Sequence, residues 1–187
     1  MATTFIFCTV SVDGFAVGPG DDLSRLHHWL GGIGSAPPGT AAAQHERFRS
    51  AGAIVFGHRT WLAGQEPWGD DHVFDSPVFV LAHEPRPPIA RNGTVYTFVT
   101  TGVRDADALA HAAAGGGDVV IMGSPDIARQ FLQADLVDEL VLMIVPVLLG
   151  RGSRLFGELS SPRELTLTEL VPGEDVSAAI YSVQRPG

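Results

Sequence analysis

The chain has 187 residues, of which 45% are hydrophobic, enough to bury the core of one domain spanning residues 1–187. Its net charge of −9 and pI of about 5.1 exclude the basic face that a nucleic-acid or anionic-membrane partner requires. The single cysteine, Cys8, excludes a disulfide framework and fits a reducing cytoplasm, so we expect a cytoplasmic protein with a buried thiol.

Short apolar runs bounded by glycine or proline predict about eight strands, and helical spacing of apolar residues predicts about four helices. Because strands and helices alternate early in the chain, the sheet is expected to be mostly parallel, with a terminal antiparallel pair. The stretch 31–39, rich in glycine and proline, is predicted to be a mobile loop. The strands are predicted at 4–12, 53–56, 78–81, 94–99, 119–122, 136–145, 165–171 and 176–183, and the helices at 21–30, 40–50, 105–114 and from 125 onward, with Asp22, Thr40, Asp105 and Ser124 as N-caps.

Several common signatures are missing from the sequence. No G-x-G-x-x-G follows the first strand, and neither a Walker A pattern nor a G-x-S-x-G elbow occurs. The seven histidines show no H-x-x-x-H spacing, so no metal site is expected. The most apolar stretch, 140–149, is too short to span a bilayer and contains Pro146, so it is predicted to be a buried strand and no membrane partner is expected.

The stretch from Val119 to Ile127 suggests an anion site. A buried strand ends at Gly123, and Ser124, Pro125 and Asp126 are residues that commonly begin a helix. A glycine turn that leads into a helix N-terminus can bind an anion such as a pyrophosphate. The alternative is a plain strand–turn–helix connection, which every α/β protein contains.

A second glycine turn occurs at Gly57, after the strand 53–56. Since the carboxyl ends of parallel strands share one edge, we expect Gly14, Gly57 and Gly123 to lie along the same edge of the sheet. Just after Gly57, Arg59 could bind a phosphate through two hydrogen bonds and Thr60 through one. The alternative is that Arg59 pairs with a surface carboxylate.

Several motifs occur together in one order: S-V-D-G-F from Ser11, G-H-R-T-W from Gly57, V-V-I-M-G from Val119, and V-D-E-L through P-V-L-L-G-R-G-S-R-L-F from Val137. In this the chain resembles the dihydrofolate-reductase-like superfamily, and most of all the reductase domain at the C-terminus of the bifunctional riboflavin-biosynthesis deaminase–reductase. The resemblance implies an α/β three-layer sandwich: a mostly parallel eight-stranded sheet, a C-terminal antiparallel hairpin and about four flanking helices.

The resemblance also implies that NADPH lies across the carboxyl edge of the sheet. The residues so implied are the backbone around Thr9 and Ala16 for the nicotinamide amide, Gly57, Arg59 and Thr60 for the adenosine-side phosphates, Leu81, Ala82 and His83 for the 2′-phosphate or adenine, and Gly123, Ser124, Pro125, Asp126 and Ile127 for the pyrophosphate.

The sequence departs from the family pattern at several points, and the arginine expected to bind the substrate's ribose phosphate is not evident. Gly123-Ser124 stands where dihydrofolate reductases have two glycines, and His58 separates Gly57 from the basic residue. Only His45 or Glu46 could replace the carboxylate that assists protonation in folate reductases. The substrate therefore stays open between a pterin-like and a ribosylamino-pyrimidine-like heterocycle.

The function expected is an NADPH-dependent reductase that transfers hydride to a small heterocyclic or carbonyl substrate, similar to 5-amino-6-(5-phosphoribosylamino)uracil reductase or to pterin and folate reductases. The alternative is a catalytically inactive NADP(H)-binding protein of the same fold. Asp13 is the candidate catalytic residue, with a turn-stabilising carboxylate as the alternative. His45 and three aromatic residues are substrate candidates, although aromatic residues commonly belong to the core: Trp29, Phe48 and Trp68.

A homodimer is also expected. Relatives pair through an exposed edge, and here the strand 140–149 and the late hairpin could leave such an edge.

Overall fold

A single large sheet organises the residues that the computed structural model describes, namely 2–30, 42–69 and 73–184. The strands are β1 (Thr4–Ser11), β2 (Phe15–Val17), β3 (Ala53–Gly57), β4 (Val78–Leu81), β5 (Ile89–Arg91), β6 (Thr94–Val99), β7 (Val119–Met122), β8 (Glu139–Val145), β9 (Ser153–Arg154), β10 (Leu165–Val171) and β11 (Ser177–Val183). The helices are α1 (Ser24–His27), α2 (Ala42–Arg49), α3 (His58–Gly64), α4 (Val103–Ala114) and α5 (Pro125–Gln133).

The sheet has the order β10-β11-β8-β1-β7-β3-β4-β6-β5, and β2 pairs separately with β9. The six strands from β8 to β6 in this order are mutually parallel. Strands β11 and β5 run antiparallel to them, and β10 forms an antiparallel hairpin with β11. The six parallel strands therefore end together along one side, which we call the carboxyl edge. The predicted fold class is confirmed, including the C-terminal hairpin.

Strand β1 is the middle of this arrangement because both of its faces are covered. All eight of its residues are buried. Phe5 and Phe7 pack in the core layer that holds α1, α2 and α3. Ile6 and Cys8 pack in the opposite layer, which holds α4 and α5. A run with apolar residues on both faces is typical of a strand between two helical layers.

Some predicted boundaries were wrong, for local reasons. The helix predicted at 21–30 is the short α1 between two 3₁₀ turns, because Gly20 and Asp21 have left-handed backbones, with φ of 69° and 62°. Helix α4 begins at Val103 after Gly102, so Asp105 lies in its first turn instead of capping it. The predicted mobile loop at 31–39 and the Thr40 cap lie outside the described residues.

Two short elements raise the counts above those predicted. Within the described chain the main sheet has nine strands rather than eight, since β5 pairs with β6 over three residues. The described residues form five α-helices rather than four, because α3 begins directly after Gly57. Elements this short contain too few residues to show a periodic pattern.

The only cysteine behaves as a core residue. Cys8 is 4% exposed, and its thiol donates to the carbonyl oxygen of Thr9 at 3.4 Å. Burial raises the pKa of the thiol to about 12, so almost no thiolate exists at neutral pH. Among the helices described, none combines the length and the apolar character needed to cross a bilayer.

An apolar stripe lies at the end of the sheet, on β10. The register shifts between Leu167 and Glu169, which puts Leu170 on the same sheet face as Leu165 and Leu167. These three leucines are 41–61% exposed. Strand β8, which the sequence suggested as a pairing edge, instead lies between β1 and β11. Of the two elements predicted to leave an exposed edge for dimerisation, only the C-terminal hairpin lies at the end of the sheet. The homodimer itself stays a prediction.

If the homodimer forms through β10, replacing Leu167 and Leu170 by Glu should separate it, because charged side chains would oppose burial of the stripe. Light scattering after gel filtration should give the mass of two 19.8 kDa chains for the native protein and of one chain for the variant. Leu109→Glu, at a leucine of α4 that is 46% exposed, is the control and should leave the mass unchanged. A monomeric native protein would contradict the prediction.

Candidate active site

The ends of β3 and β7 meet at Ser124, and together with the start of α5 they form what we call the phosphate seat. The Ser124 hydroxyl accepts a hydrogen bond from the Gly57 backbone N–H at 3.0 Å. It also lies 2.5 Å from the Thr60 hydroxyl, and one of these two groups donates to the other. Ser124 itself has a left-handed backbone, with φ 48° and ψ 77°. This side chain thus joins β7 to the first turn of α3.

Gly57 permits this close approach because it has no side chain. A Cβ added at Gly57 would lie 3.0 Å from Cγ1 of Ile127 and 3.3 Å from the Ser124 hydroxyl oxygen. Gly123 differs, since its φ of +53° favours glycine while a Cβ there would meet nothing within 4 Å. The seat is therefore tightly packed at Gly57 and open at Gly123.

The N-terminus of α5 has backbone donors to offer. Ser124 is its N-cap residue, but its hydroxyl makes no capping bond to the helix within the described chain. Pro125 has no N–H, so the amides of Asp126 and Ile127 are the first donors that a ligand would meet. The Asp126 carboxylate is held within the helix by Arg129 and Gln130. These amides and the helix dipole together favour an anion.

Arg59 lies beside the seat but is engaged with a carboxylate. Its Nη2 is 3.2 Å from Oδ1 of Asp21, and the two side chains are 81% and 73% exposed. This is the surface ion pair that the sequence left open as the alternative, and such exposed pairs are weak. Trp61, two residues later, is 2% exposed and packs 4.6 Å from the ring of Tyr96.

The other residues assigned to the cofactor also lie along the carboxyl edge. Leu81 at the end of β4 pairs in register with Gly57, and the Ala82 N–H donates to the Val99 carbonyl at 3.0 Å. His83 is exposed. The structure thus brings the ends of β3 and β4 side by side. Contact of these residues with a cofactor stays a prediction.

The backbone expected to meet the nicotinamide lies at the end of β1. Thr9 is 7% exposed on β1, and Ala16 is 6% exposed on β2. Two residues before Thr9, the Phe7 carbonyl accepts a hydrogen bond from the Gly123 N–H at 3.1 Å. The middle of β1 is therefore directly connected to the phosphate seat, two residues before Thr9.

Asp13 joins the loop after β1 to the loop after β8. Its Oδ1 accepts hydrogen bonds from the Ser11 hydroxyl at 2.6 Å and the Leu149 N–H at 3.1 Å. Its Oδ2 accepts from the Gly150 N–H at 2.7 Å, and its carbonyl accepts from Arg154 at 2.8 Å. We call this set of bonds the Asp13 clamp.

These bonds determine what Asp13 can do. The hydrogen bond from the Ser11 hydroxyl, with those from the backbone N–H groups, lowers the pKa of the Asp13 carboxyl to about 2. An acid this strong is ionised at neutral pH and cannot donate a proton to a substrate. The contacts favour the turn-stabilising interpretation of Asp13, and any part it has in the chemistry would come from its charge.

The four substrate candidates pack mainly against protein side chains. Trp29 is 4% exposed in the core, and Phe48 stacks on Phe7 with ring centroids 5.1 Å apart. Trp68 packs 5.1 Å from Phe74 in an edge-to-face contact. His45 is half-buried beside Phe48, and desolvation lowers its pKa. Their contact with substrate stays a prediction.

An open groove runs between α1 and the segment that follows β8. It has two adjoining parts of about 410 and 350 Å³, and Arg25 and Val147 border both. The Val12 N–H donates to the Val147 carbonyl at 3.0 Å, so the groove lies beside the end of β1. The phosphate seat lies on the β7 side of the same strand, where Gly123 is bonded to Phe7 in the middle of β1. Sequence reasoning missed this groove because its walls are far apart in the chain, and the only local signal was the motif from Gly150 to Arg154.

In the part of the chain that the structure describes, no three His, Cys, Asp or Glu residues are grouped so as to hold a metal ion. The donors along the carboxyl edge are instead hydroxyls, backbone amides and guanidinium groups, which suit an organic anion.

Comparison with known proteins gives a consistent result. The family model of the RibD C-terminal domain matches residues 2–176. The uncharacterized protein YwjB of Bacillus subtilis (strain 168) is 32% identical over 71 residues, which are 38% of this chain and 40% of that protein. This match thus spans less than half of the curated relative.

Two solved structures share the fold. A protein from Shewanella sp. PV-4 named for riboflavin biosynthesis has a TM-score of 0.79 and 24% identity, covering 98% of this chain and 99% of its own. The diaminohydroxyphosphoribosylaminopyrimidine deaminase/5-amino-6-(5-phosphoribosylamino)uracil reductase of Thermotoga maritima has a TM-score of 0.70 and 10% identity, covering 98% of this chain and 57% of its own.

Replacing Asp13 by Asn should destabilise the protein at neutral pH, because the clamp needs an ionised acceptor. The pKa of Asp13 is lower in the folded state than its ordinary value of 3.8. Its stabilisation is therefore complete above about pH 4 and is lost as the pH falls towards 2. Urea unfolding midpoints at several pH values should show native protein and variant converging over this range. Asp175→Asn, at the exposed turn before β11, is the control and should not show this convergence.

Proposed function

Because the chain belongs to the family of the RibD C-terminal domain, we propose that it is an NADPH-dependent reductase that transfers hydride to a small heterocyclic or carbonyl substrate. The observation that carries the proposal is that the phosphate seat and the groove lie on opposite sides of β1, the seat at Phe7 and the groove just beyond the strand end at Val12. A dinucleotide that extends from the seat along the second half of β1 would bring its nicotinamide beside an acceptor in the groove. We place the reaction in the cytoplasm, in keeping with the single buried cysteine.

The phosphate seat fits a dinucleotide by its donor set. The amides at the start of α5 receive no cap from Ser124, and the space above Gly123 is open to a bound pyrophosphate. Ser124 and Thr60 hold each other in place, so the seat is formed before the ligand arrives. Preorganisation of this kind reduces the ordering cost of binding. When bound, the reduced nicotinamide supplies the hydride.

The residues at the end of β1 would orient the reacting groups. Thr9 and Ala16 are buried, so backbone here is held still by the core on both faces. The Asp13 clamp fixes the loop after β8, which forms one wall of the groove. A rigid strand end and a rigid wall can hold donor and acceptor carbons about 3–3.5 Å apart. Positioning is thus the main contribution that this chain would make.

The proton requirement limits the substrate. Asp13 is ionised at neutral pH, so it cannot act as the general acid. An activated imine or carbonyl acceptor needs little acid assistance, since it can take its proton from water after hydride transfer. This supports a heterocycle with such a bond, of the pterin-like or ribosylamino-pyrimidine-like kind.

A second candidate function has an observation in its favour. An inactive protein of the same fold would bind NADP(H) through the same seat but would not need a proton donor. The ionised state of Asp13 is compatible with that alternative as well. Binding and turnover must therefore be measured separately.

Calorimetry should show NADPH binding to the native protein, and Arg59→Ala should raise the Kd for NADPH about tenfold while changing that for NADH little. The reason is that only NADPH has a 2′-phosphate for a guanidinium to contact. Asp21→Asn is the matched variant, since it frees Arg59 from its ion pair and should leave NADPH affinity intact or increase it. Equal losses for both coenzymes would remove Arg59 from this role, and no heat with either would contradict the proposed function.

Turnover separates the reductase from the inactive binder. Oxidation of NADPH, followed by its absorbance, should accelerate when pterin-like or ribosylamino-pyrimidine-like acceptors are added. Ser124→Ala should slow this reaction, because it removes the hydrogen bonds to Gly57 and Thr60, each of which contributes about 0.5–1.5 kcal/mol. Binding of NADPH without acceleration by any acceptor would favour the inactive alternative.

A further inference from the structure

The side chain of Arg154 lies across the turn that follows β1. Its Nη1 donates a hydrogen bond to the Asp13 carbonyl oxygen at 2.8 Å, and it lies 3.7 Å from the position of a Cβ added to Gly14. The Cζ atom of its guanidinium is 4.4 Å from the centre of the Phe15 ring, which is 6% exposed. One planar cation thus contacts three consecutive residues of the turn, a geometry that suits a guanidinium and not a compact ammonium group.

The same turn is also held by backbone groups on either side of it. The Ser11 hydroxyl accepts a hydrogen bond from the Phe15 N–H at 3.0 Å. Leu155, which follows Arg154 and is 1% exposed, donates its N–H to the Gly14 carbonyl at 3.1 Å. The turn is therefore fixed both from β1 and from β9, and Arg154 supplies the side-chain contact on the β9 side.

The next residue, Ala16, is an extra residue in the pairing of β2 with β9. Phe15 pairs with Arg154 and Val17 pairs with Ser153, so two steps along β2 face one step along β9. Such a bulge leaves the inserted residue without a partner in the ladder, and bulges often lie next to active sites. Because Arg154 fixes Phe15, the same contact sets the direction of the Ala16 backbone groups.

Ala16 is connected to both the phosphate seat and the groove. It packs in the same core layer as Ile127, which belongs to the first turn of α5. Gly18, two residues after Ala16, borders the groove. A dinucleotide that extends from the seat towards the groove would therefore bring its nicotinamide end to this backbone.

We propose that Arg154 is a positioning residue for the nicotinamide, in that it holds the bulge so that the backbone of Ala16 meets the carboxamide of the bound cofactor. This inference rests on the proposed function. A carboxamide has an oxygen acceptor and an NH₂ donor, so backbone groups with a fixed direction can bind it. Arg154 acts through Phe15 and the turn, and it adds no contact of its own to the cofactor.

The test compares the Kd of NADPH with that of 2′-phospho-ADP-ribose, which has the same phosphates but no nicotinamide, by calorimetry on the full chain. Arg154→Met should raise the Kd for NADPH about tenfold, because it removes a hydrogen bond from a charged group and a cation–π contact. It should leave the Kd for 2′-phospho-ADP-ribose unchanged. Arg154→Lys should weaken NADPH binding to a similar degree, since it keeps the charge but not the planar geometry.

Arg49→Met is the matched control, with the same substitution and the same change in charge. Arg49 is the last residue of α2 and lies just before the start of β3, so it is at the edge of the sheet opposite the carboxyl edge. There it forms an ion pair with Asp75 at 2.9 Å. This variant should leave the Kd values of both ligands unchanged.

Hydrogen–deuterium exchange of the free protein adds a measurement that needs no ligand. Exchange at the Phe15 and Leu155 amides should be faster in Arg154→Met than in the native protein, and Arg49→Met should not change it. Equal or absent losses for the two ligands, full NADPH binding by Arg154→Lys, or unchanged exchange in Arg154→Met would each overturn the positioning role. A native protein that binds no NADPH would contradict the proposed function and the nicotinamide assignment with it, whereas the exchange rates would still decide whether Arg154 holds the turn.

Discussion

The burial of β1 on both faces is the constraint on which the rest of the molecule depends. Its eight residues pack between two helical layers and pair with β7 on one side and β8 on the other. A strand held in this way cannot shift, so its carboxyl end is a fixed point. The phosphate seat contacts the β7 side of the strand at Phe7, and the groove borders its β8 side just beyond the end. The proposal of hydride transfer rests on this placement rather than on any single reactive side chain.

Two polar side chains turn this shared edge into a specific site. Ser124 connects β7 to β3 and α3, and Asp13 connects the loop after β1 to the loop after β8. Each side chain forms several hydrogen bonds with other protein groups in place of contacts with water. The cost is visible at Ser124, whose left-handed backbone is unfavourable by roughly 1–2 kcal/mol for a residue other than glycine. Those bonds stabilise a conformation that the residue would not otherwise adopt.

The sequence predicted the elements whose signals are local and missed the contacts that are not. Strand β7 and the start of α5 at Pro125 follow from an apolar run and a helix-start pattern within a few residues. The role of the Ser124 hydroxyl could not be predicted, because Gly57 and Thr60 are distant in the chain. Similarly, Asp13 was predicted to be the catalytic residue, but its hydrogen-bond partners at 149 and 150 come from another loop and could not be predicted.

The missing cap on α5 would couple folding to the binding of an anion at this helix end. A helix whose N-cap side chain is directed elsewhere lacks about 0.5–2 kcal/mol of stabilisation that a capping hydroxyl normally provides. An anion bound by the amides of Asp126 and Ile127 would complete that helix end from outside. The first turn of α5 would then be more stable in the bound protein than in the free one. Part of the binding free energy of the anion would appear as a higher melting temperature. Substitutions that strengthen anion binding here and substitutions that stabilise the fold would therefore act through the same backbone amides at the start of α5.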